Sequence, residues 1–272
     1  MRNCKGGKSM TKLVINADDF GYSRAINFGI VDAHVDGVVT STTMMANMPG
    51  LSHAAELHQT FPHLGIGVHL ALTVGKPILE NVSTLVDETG NFHSLNVYKT
   101  DELIINPEEL YSEWHAQITR LIKMGISLTH IDSHHYTHAF SQHLAVAEEL
   151  SNVFQLPLRN CLDAKKRTQN EICYPTDDFW NLFNFPEMKD MSVPYQEHKK
   201  SLFSQFQEDA RSYQQYNAVE ASCHPGYLDE EVWYGSSFNL ARMKEMAVLK
   251  DKDFAKMLAT FGYDLVTYKE LV

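Results

Sequence analysis

The chain of 272 residues carries 34 acidic against 23 basic side chains, a formal charge of −11 at neutral pH, and is 44% hydrophobic. That balance excludes a surface built to neutralise a nucleic-acid backbone, and no stretch reaches the ~18 uninterrupted apolar residues that a membrane helix needs. Cys4, Cys161, Cys173 and Cys223 show no C-x-x-C spacing, so neither a zinc ribbon nor a disulfide framework is indicated and a reducing cytoplasm is the expected setting.

Residues 1–11 hold Arg2, Lys5 and Lys8 but not the apolar core of a secretory signal, and are expected as a loose tail before a single domain over 12–272. Leu13-Val14-Ile15 reads as a short buried strand that runs into Asn16-Ala17-Asp18-Asp19-Phe20-Gly21. Adjacent carboxylates repel unless a cation or donor compensates. The pair therefore belongs either to a solvated turn, where Asp19 or Ser23 caps the next helix, or to a site that supplies positive charge.

Ile26, Ile30, Val31 and Ala33 predict a helix over 25–36 that stops at Gly37, followed by a β-rich stretch over 38–46. A second helix is expected over 52–60, and a strand over 65–70 carries His69 near its far end. From 76 to 106 the period is weak and punctuated by Pro77 and Gly90, which predicts an irregular insertion that walls or covers a site. Pro107 opens a long helix to about Met124, with Leu110, Trp114, Ile118, Leu121 and Ile122 as its buried stripe. A strand over 127–132 then ends in Ser133-His134-His135-Tyr136-Thr137-His138. Next come a helix over 143–154 and a short strand over 156–159 that presents Arg159. Residues 165–200 show no clear period. A helix over 201–216 and a strand over 218–223 lead into His224-Pro225-Gly226-Tyr227, and helices over 239–249 and 254–261 precede a terminal strand over 264–267.

Strands separated by helices throughout predict an α/β fold, a (β/α) barrel or a distorted relative of one with irregular insertions. Such barrels build their sites at the carboxyl ends of the strands, where Asp18, Asp19, His69, His134 and His224 all fall. One carboxylate with two imidazoles is a common set of ligands for a divalent cation, and Asp19, His69 and His134 would supply it. His135 or His138 could replace His134, because neighbouring strand residues face opposite ways. Asp132 offers a carboxylate to orient a ligand histidine. Asp18 is then the candidate base, His224 the candidate acid for a leaving amine, and Arg159 could pin Asp18 or steady an oxyanion. Each residue also has a plainer reading. A lone histidine is more often a hydrogen-bonded core or surface group, Arg159 an ordinary ion pair, and Cys223 a structural thiol rather than a nucleophile. Tyr136, Tyr227, Trp233 and Tyr234 form either a sugar-stacking wall or ordinary core. No Gly-rich phosphate loop is present, which disfavours a nucleotide enzyme.

Taken together, Asn16-Ala17-Asp18-Asp19-Phe20-Gly21, Thr40-Ser41-Thr42-Thr43, Gly67-Val68-His69-Leu70, His130-Ile131-Asp132-Ser133-His134-His135 and Cys223-His224-Pro225-Gly226 resemble the motifs of the YdjC-like carbohydrate deacetylases. The resemblance runs from Lys12 onward, apart from about 165–200, and departs at Tyr136, where many relatives carry a third adjacent histidine. It implies a (β/α) barrel-like fold and a divalent metal, magnesium with zinc as the alternative, held by Asp19, His69 and His134. It further implies removal of an N-acetyl group from an N-acetylglucosamine-containing oligosaccharide, a chitooligosaccharide or a related and sometimes phosphorylated sugar, by a cytoplasmic homodimer. The roles of Asp18 as base and His224 as acid follow by analogy with other metal-dependent polysaccharide deacetylases. Two other readings stay open, a metal-dependent sugar phosphatase and a sugar-binding protein without turnover.

Overall fold

The computed structural model describes residues 10–100, 103–162 and 174–272. Its chain order is β1 (Thr11–Phe20), α1 (Arg24–Val35), β2 (Ser41–Met44), α2 (Leu51–Thr60), β3 (Gly65–Leu70), α3 (Pro107–Lys123), β4 (Leu128–Ser133) and α4 (Leu144–Phe154). There follow β5 (Asp178–Asn181), α5 (Pro186–Lys189), α6 (Tyr195–Tyr213), β6 (Ala218–Cys223), α7 (Glu230–Gly235), α8 (Leu240–Leu249), α9 (Lys252–Thr260) and β7 (Tyr263–Leu265).

Every pairing between these strands is parallel, in the order β4-β3-β2-β1-β6-β5, with β7 added beside the first residues of β1. Parallel neighbours cannot be joined by a tight hairpin, so helices carry the chain back between strands and cover the sheet. The result is a distorted (β/α) barrel, a half-barrel in which β4 and β5 end the run of paired strands. Beyond β4 the segment around Leu158 makes one parallel bridge to Ile131, and the Asn160 side chain donates to the Thr176 carbonyl at 2.7 Å, just ahead of β5. A full strand over 156–159 is thus corrected to a single bridge, because Pro157 has no N–H to give to a ladder.

Strand β1 extends past its apolar run because its polar residues find partners inside the protein. Asn16, Asp18 and Asp19 are all buried and bonded, so the strand continues past a register shift at the acid pair and resumes pairing with β2 at Phe20 and Met44. Ser23, not Asp19, caps α1, its Oγ accepting from Ile26 N at 3.2 Å. The β-rich stretch after α1 keeps only Ser41–Met44 as strand.

Helix α3 begins as its sequence dictates, with Asn106 accepting from Glu108 N at 2.9 Å and Pro107 in the first turn. Leu110, Trp114, Ile118 and Leu121 are fully buried, but Ile122 is 45% exposed. The inward face turns instead through Glu113 and Gln117, both buried. Glu113 accepts from the backbone of Ile78 and Leu79, and Gln117 bonds both backbone groups of Ala71. These contacts tether the start of the irregular insertion, whose described residues include an antiparallel bridge between Val86 and Phe92 and a 3₁₀ turn at Val97–Lys99.

Part of the unassigned 165–200 stretch lies outside the described residues; the rest supplies β5, α5 and the start of α6, which begins earlier than the expected 201. Helix α7 has no counterpart in the expected elements. Trp180 of β5, Phe206 of α6 and Phe254 of α9 are buried together in the core that also contains Trp114.

Candidate metal centre and active site

Asp18 and Asp19 lie near the carboxyl end of β1, where its register with β2 shifts. Asp19 has φ 75° and Gly21 φ 90°, left-handed conformations that aspartate tolerates better than most residues and glycine adopts freely. The turn places Asp19 Oδ1 2.9 Å from His134 Nδ1 and 3.3 Å from His69 Nε2. Its other oxygen accepts from Arg242 Nη2 at 2.6 Å. Donor atoms of Asp19, His69 and His134 lie within 4.8 Å of one another, as a set of cation ligands requires.

His69 is oriented from behind. Asp132 stands beside it in the β3–β4 register and its Oδ1 lies 2.6 Å from His69 Nδ1, which leaves Nε2 toward Asp19. The carboxylate of Asp132 therefore serves His69 across the sheet rather than His134 along the chain. Thr43 Oγ1 in turn donates to Asp132 Oδ2 at 2.9 Å.

After β4 the backbone kinks at His135 (φ 57°) and Tyr136 (φ 55°) and separates the clustered histidines. His134 meets Asp19, His135 bonds Thr73 Oγ1 at 2.8 Å, and buried His138 bonds Ser133 Oγ at 2.6 Å. Neither His135 nor His138 takes the place of His134 at Asp19.

Beneath this group lies Arg159, fully buried. Nη1 and Nη2 grip the two oxygens of Asp18 at 2.7 and 2.6 Å, Nη2 also lies 2.7 Å from Asp132 Oδ2, and Nε donates to Glu220 Oε1 at 2.9 Å. Arg159 thus pins Asp18, and its donors face carboxylates rather than the cavity. Asn16 donates a further bond to Asp18 at 2.9 Å. His224 Nε2 stands 3.8 Å from Asp18 Oδ2, and its backbone N–H donates to Glu245 Oε2 at 2.5 Å.

Four buried carboxylates, Asp18, Asp19, Asp132 and Glu220, share two guanidiniums, those of Arg159 and Arg242. Several proton equilibria shift in response. Burial opposes charge on His69, yet the adjoining carboxylates of Asp132 and Asp19 raise its pKa to about 10. Burial pushes Glu245 up to about 8 and holds His224 below the usual histidine range. Burial also raises Asp19, but the charges of His134 and Arg242 outweigh it and hold the carboxyl well below the usual range. A surplus of buried negative charge beside one carboxylate and two imidazoles suits a divalent cation, which would stand in for the proton on His69.

Asp18, Asp19, His69, His134 and His224 line one cavity of about 390 Å³, the scale of a small-molecule site. Tyr136 joins its wall, with its ring near the Arg159 guanidinium. Trp233 and Tyr234 are 51% and 80% exposed, which removes them from the core, and Tyr227 donates to Asp32 at 2.5 Å. Cys223 is a structural thiol, fully buried and donating to the Asn16 carbonyl, with its pKa driven well up by burial. Cys4 and Cys173 lie outside the described residues, and no helix among the described residues is long and apolar enough to cross a membrane.

Residues 12–260 match the family model described as YdjC-like protein. The chain belongs to the YdjC-like family. A Brevibacillus brevis relative named carbohydrate deacetylase is 38% identical over 264 residues, 96% of this chain and 99% of its own. A Geobacillus stearothermophilus protein of the same name is 36% identical over 261 residues, 94% of this chain and 96% of its own. A crystal structure from Enterococcus faecalis V583, described as that of a candidate cellobiose-phosphate cleavage protein, is similar with a TM-score of 0.81 at 34% identity, covering 97% of this chain and all of that one.

In this YdjC-like chain the sequence reading missed Arg242 and Glu245, which reach the site from α8. Their signal was available. Arg242, Glu245, Met246 and Leu249 follow i, i+3, i+4, i+7 spacing and are all buried, so two charged residues sit on the apolar face of one helix.

Proposed function

We propose that the protein is a metal-dependent hydrolase that removes an N-acetyl group from an N-acetylglucosamine-containing oligosaccharide. The observation that carries this reading is the convergence of Asp19, His69 and His134 in one cavity with a second carboxylate and a further imidazole, Asp18 and His224, 3.8 Å apart. The deacetylase names of relatives that align over nearly the whole chain support it.

Asp19, His69 and His134 would hold the cation, which when bound polarises a carbonyl and acidifies a water. Two imidazoles are donors typical of zinc and its transition-metal neighbours, whereas magnesium prefers oxygen, so zinc is the first ion to test and magnesium, implied by the resemblance, the second. Arg159 fixes Asp18, which takes the proton of the attacking water. Burial keeps His224 neutral at rest, so it can receive that proton from Asp18 and deliver it to the leaving nitrogen. A cytoplasmic homodimer belongs to the proposal through the family resemblance.

Acetate release from N,N′-diacetylchitobiose should cease with chelator and return with added zinc or magnesium. Release that persists in chelator with no metal in the protein would sink the metal mechanism. The Enterococcus relative favours a second reading, a phosphorylated sugar as substrate. A panel that scores acetate and phosphate release from plain and phosphorylated sugars separates a deacetylase of sugar phosphates from a phosphatase.

A further inference from the structure

Arg242 is 1% exposed and uses only part of its guanidinium inside the protein. Nη2 donates to Asp19 at 2.6 Å and Nε to the Phe238 carbonyl at 2.7 Å, while Nη1 has no partner among the described residues. Leaving a buried charged donor unpaired is costly, and such a donor on a cavity wall invites an acceptor from outside. Tyr22, 3% exposed, lines the same cavity beside Asp19, and its hydroxyl is bonded to no described residue. Gly235 packs against it so closely that a Cβ there would lie 2.8 Å from the hydroxyl oxygen.

We propose that Arg242 Nη1 and Tyr22 Oη donate to the acetamide carbonyl oxygen of the substrate as it becomes an oxyanion. The proposal rests on the deacetylase reading above. Water oxygen bonds to the carbonyl carbon, the C=O pair moves onto oxygen, and the water proton goes to Asp18. Asp18 passes that proton to His224, collapse breaks the C–N bond as His224 protonates the nitrogen, and acetic acid and a free amine leave, the acid then losing its proton to solvent. Both residues line the cavity that Asp19 also lines, and Arg242 is held there by its bonds to Asp19 and the Phe238 carbonyl. Arginine has no acceptor atom, so it selects an electron-rich oxygen rather than a hydroxyl proton. Donors fixed in advance and aimed at developing charge need no reorganisation during reaction. Arg159, which the sequence offered for this task, is fully engaged with Asp18, Asp132 and Glu220.

The test uses the metal-loaded enzyme with Tyr22→Phe and Arg242→Lys, the latter keeping a charge beside Asp19 while removing the second arm. With N,N′-diacetylchitobiose, each variant should lose about 100-fold in kcat with KM within about twofold of the parent. Binding of a methylphosphonamidate analogue of the acetamide should weaken by a similar factor. Metal content and melting temperature of Tyr22→Phe should match the parent. A rise in KM at unchanged kcat, or no change in either, overturns the proposal. Parent enzyme that releases no acetate overturns the deacetylase reading and this one with it, whereas parent release matched by both variants overturns this one alone.

Discussion

Asp132 fixes the ring of His69 so that Nε2, not Nδ1, is presented to Asp19. Carboxylates placed behind a ligand histidine typically change metal affinity by about 10–100-fold when replaced. Asp132→Asn should therefore weaken zinc binding by that factor, measured by calorimetric titration of the metal-free protein; unchanged affinity would mean that the strand alone orients the ring. At this scale the sequence shows the proposed ligands better than their supports. Asp19, His69 and His134 are legible because each falls at or just past the end of an expected strand. The partnership of Asp132 with His69 is not, because it joins residues 63 positions apart through a register that only the folded sheet defines. Arg159 was visible, but as a choice between two roles that its burial beneath Asp18 resolves.

Among the elements, α3 shows how polar residues on a buried face organise a loop. Glu113 is fully buried and accepts from the amides of Ile78 and Leu79 at 2.9 Å. Glu113→Ala would leave both amides without their acceptor, at a cost of roughly 1–3 kcal/mol each where water cannot replace it. Amide exchange at Ile78 and Leu79 should accelerate while the middle of α3 stays protected; equal acceleration along the helix would show that Glu113 stabilises α3 and not the insertion. Helices were the more legible elements, since α1 and α3 follow a 3.6-residue period and begin and end close to where the sequence puts them. Strands were less so. β1 outruns its apolar residues because its acids are paired in three dimensions, while the stretch around Leu158 is held to one bridge by a proline.

For the molecule as a whole, the site concentrates charge in the interior, and stability must respond to pH. Burial raises the pKa of Glu245 to about 8, so the native state holds this proton over a range where the unfolded chain has released it. Its contribution therefore favours folding at acid pH and is lost as pH rises from the usual glutamate range through about 8. The slope from one such group is at most about 1.4 kcal/mol per pH unit. Melting of the metal-free protein between pH 5 and 8 should show this fall, and Glu245→Gln should flatten it; a variant with the parental slope would assign the effect elsewhere. The half-barrel architecture was legible from the alternation of strands and helices, but the lack of a ladder between β4 and β5 among the described residues was not, because the sequence does not say which strands end the sheet.

The central place of β1 also sets an order in time. Lys12 pairs with Ala218 and Thr11 with Tyr263, so the strand that ends in Asp18 and Asp19 is completed by neighbours translated more than 200 residues later. Contacts of such long sequence separation form slowly because chain entropy must be spent before they reward it. On a ribosome the carboxylate pair emerges early and waits, exposed, for β6 and β7. The imidazoles of His69 and His134 come from β3 and the end of β4, so the late contact that Asp19 awaits is the one to Arg242 on α8.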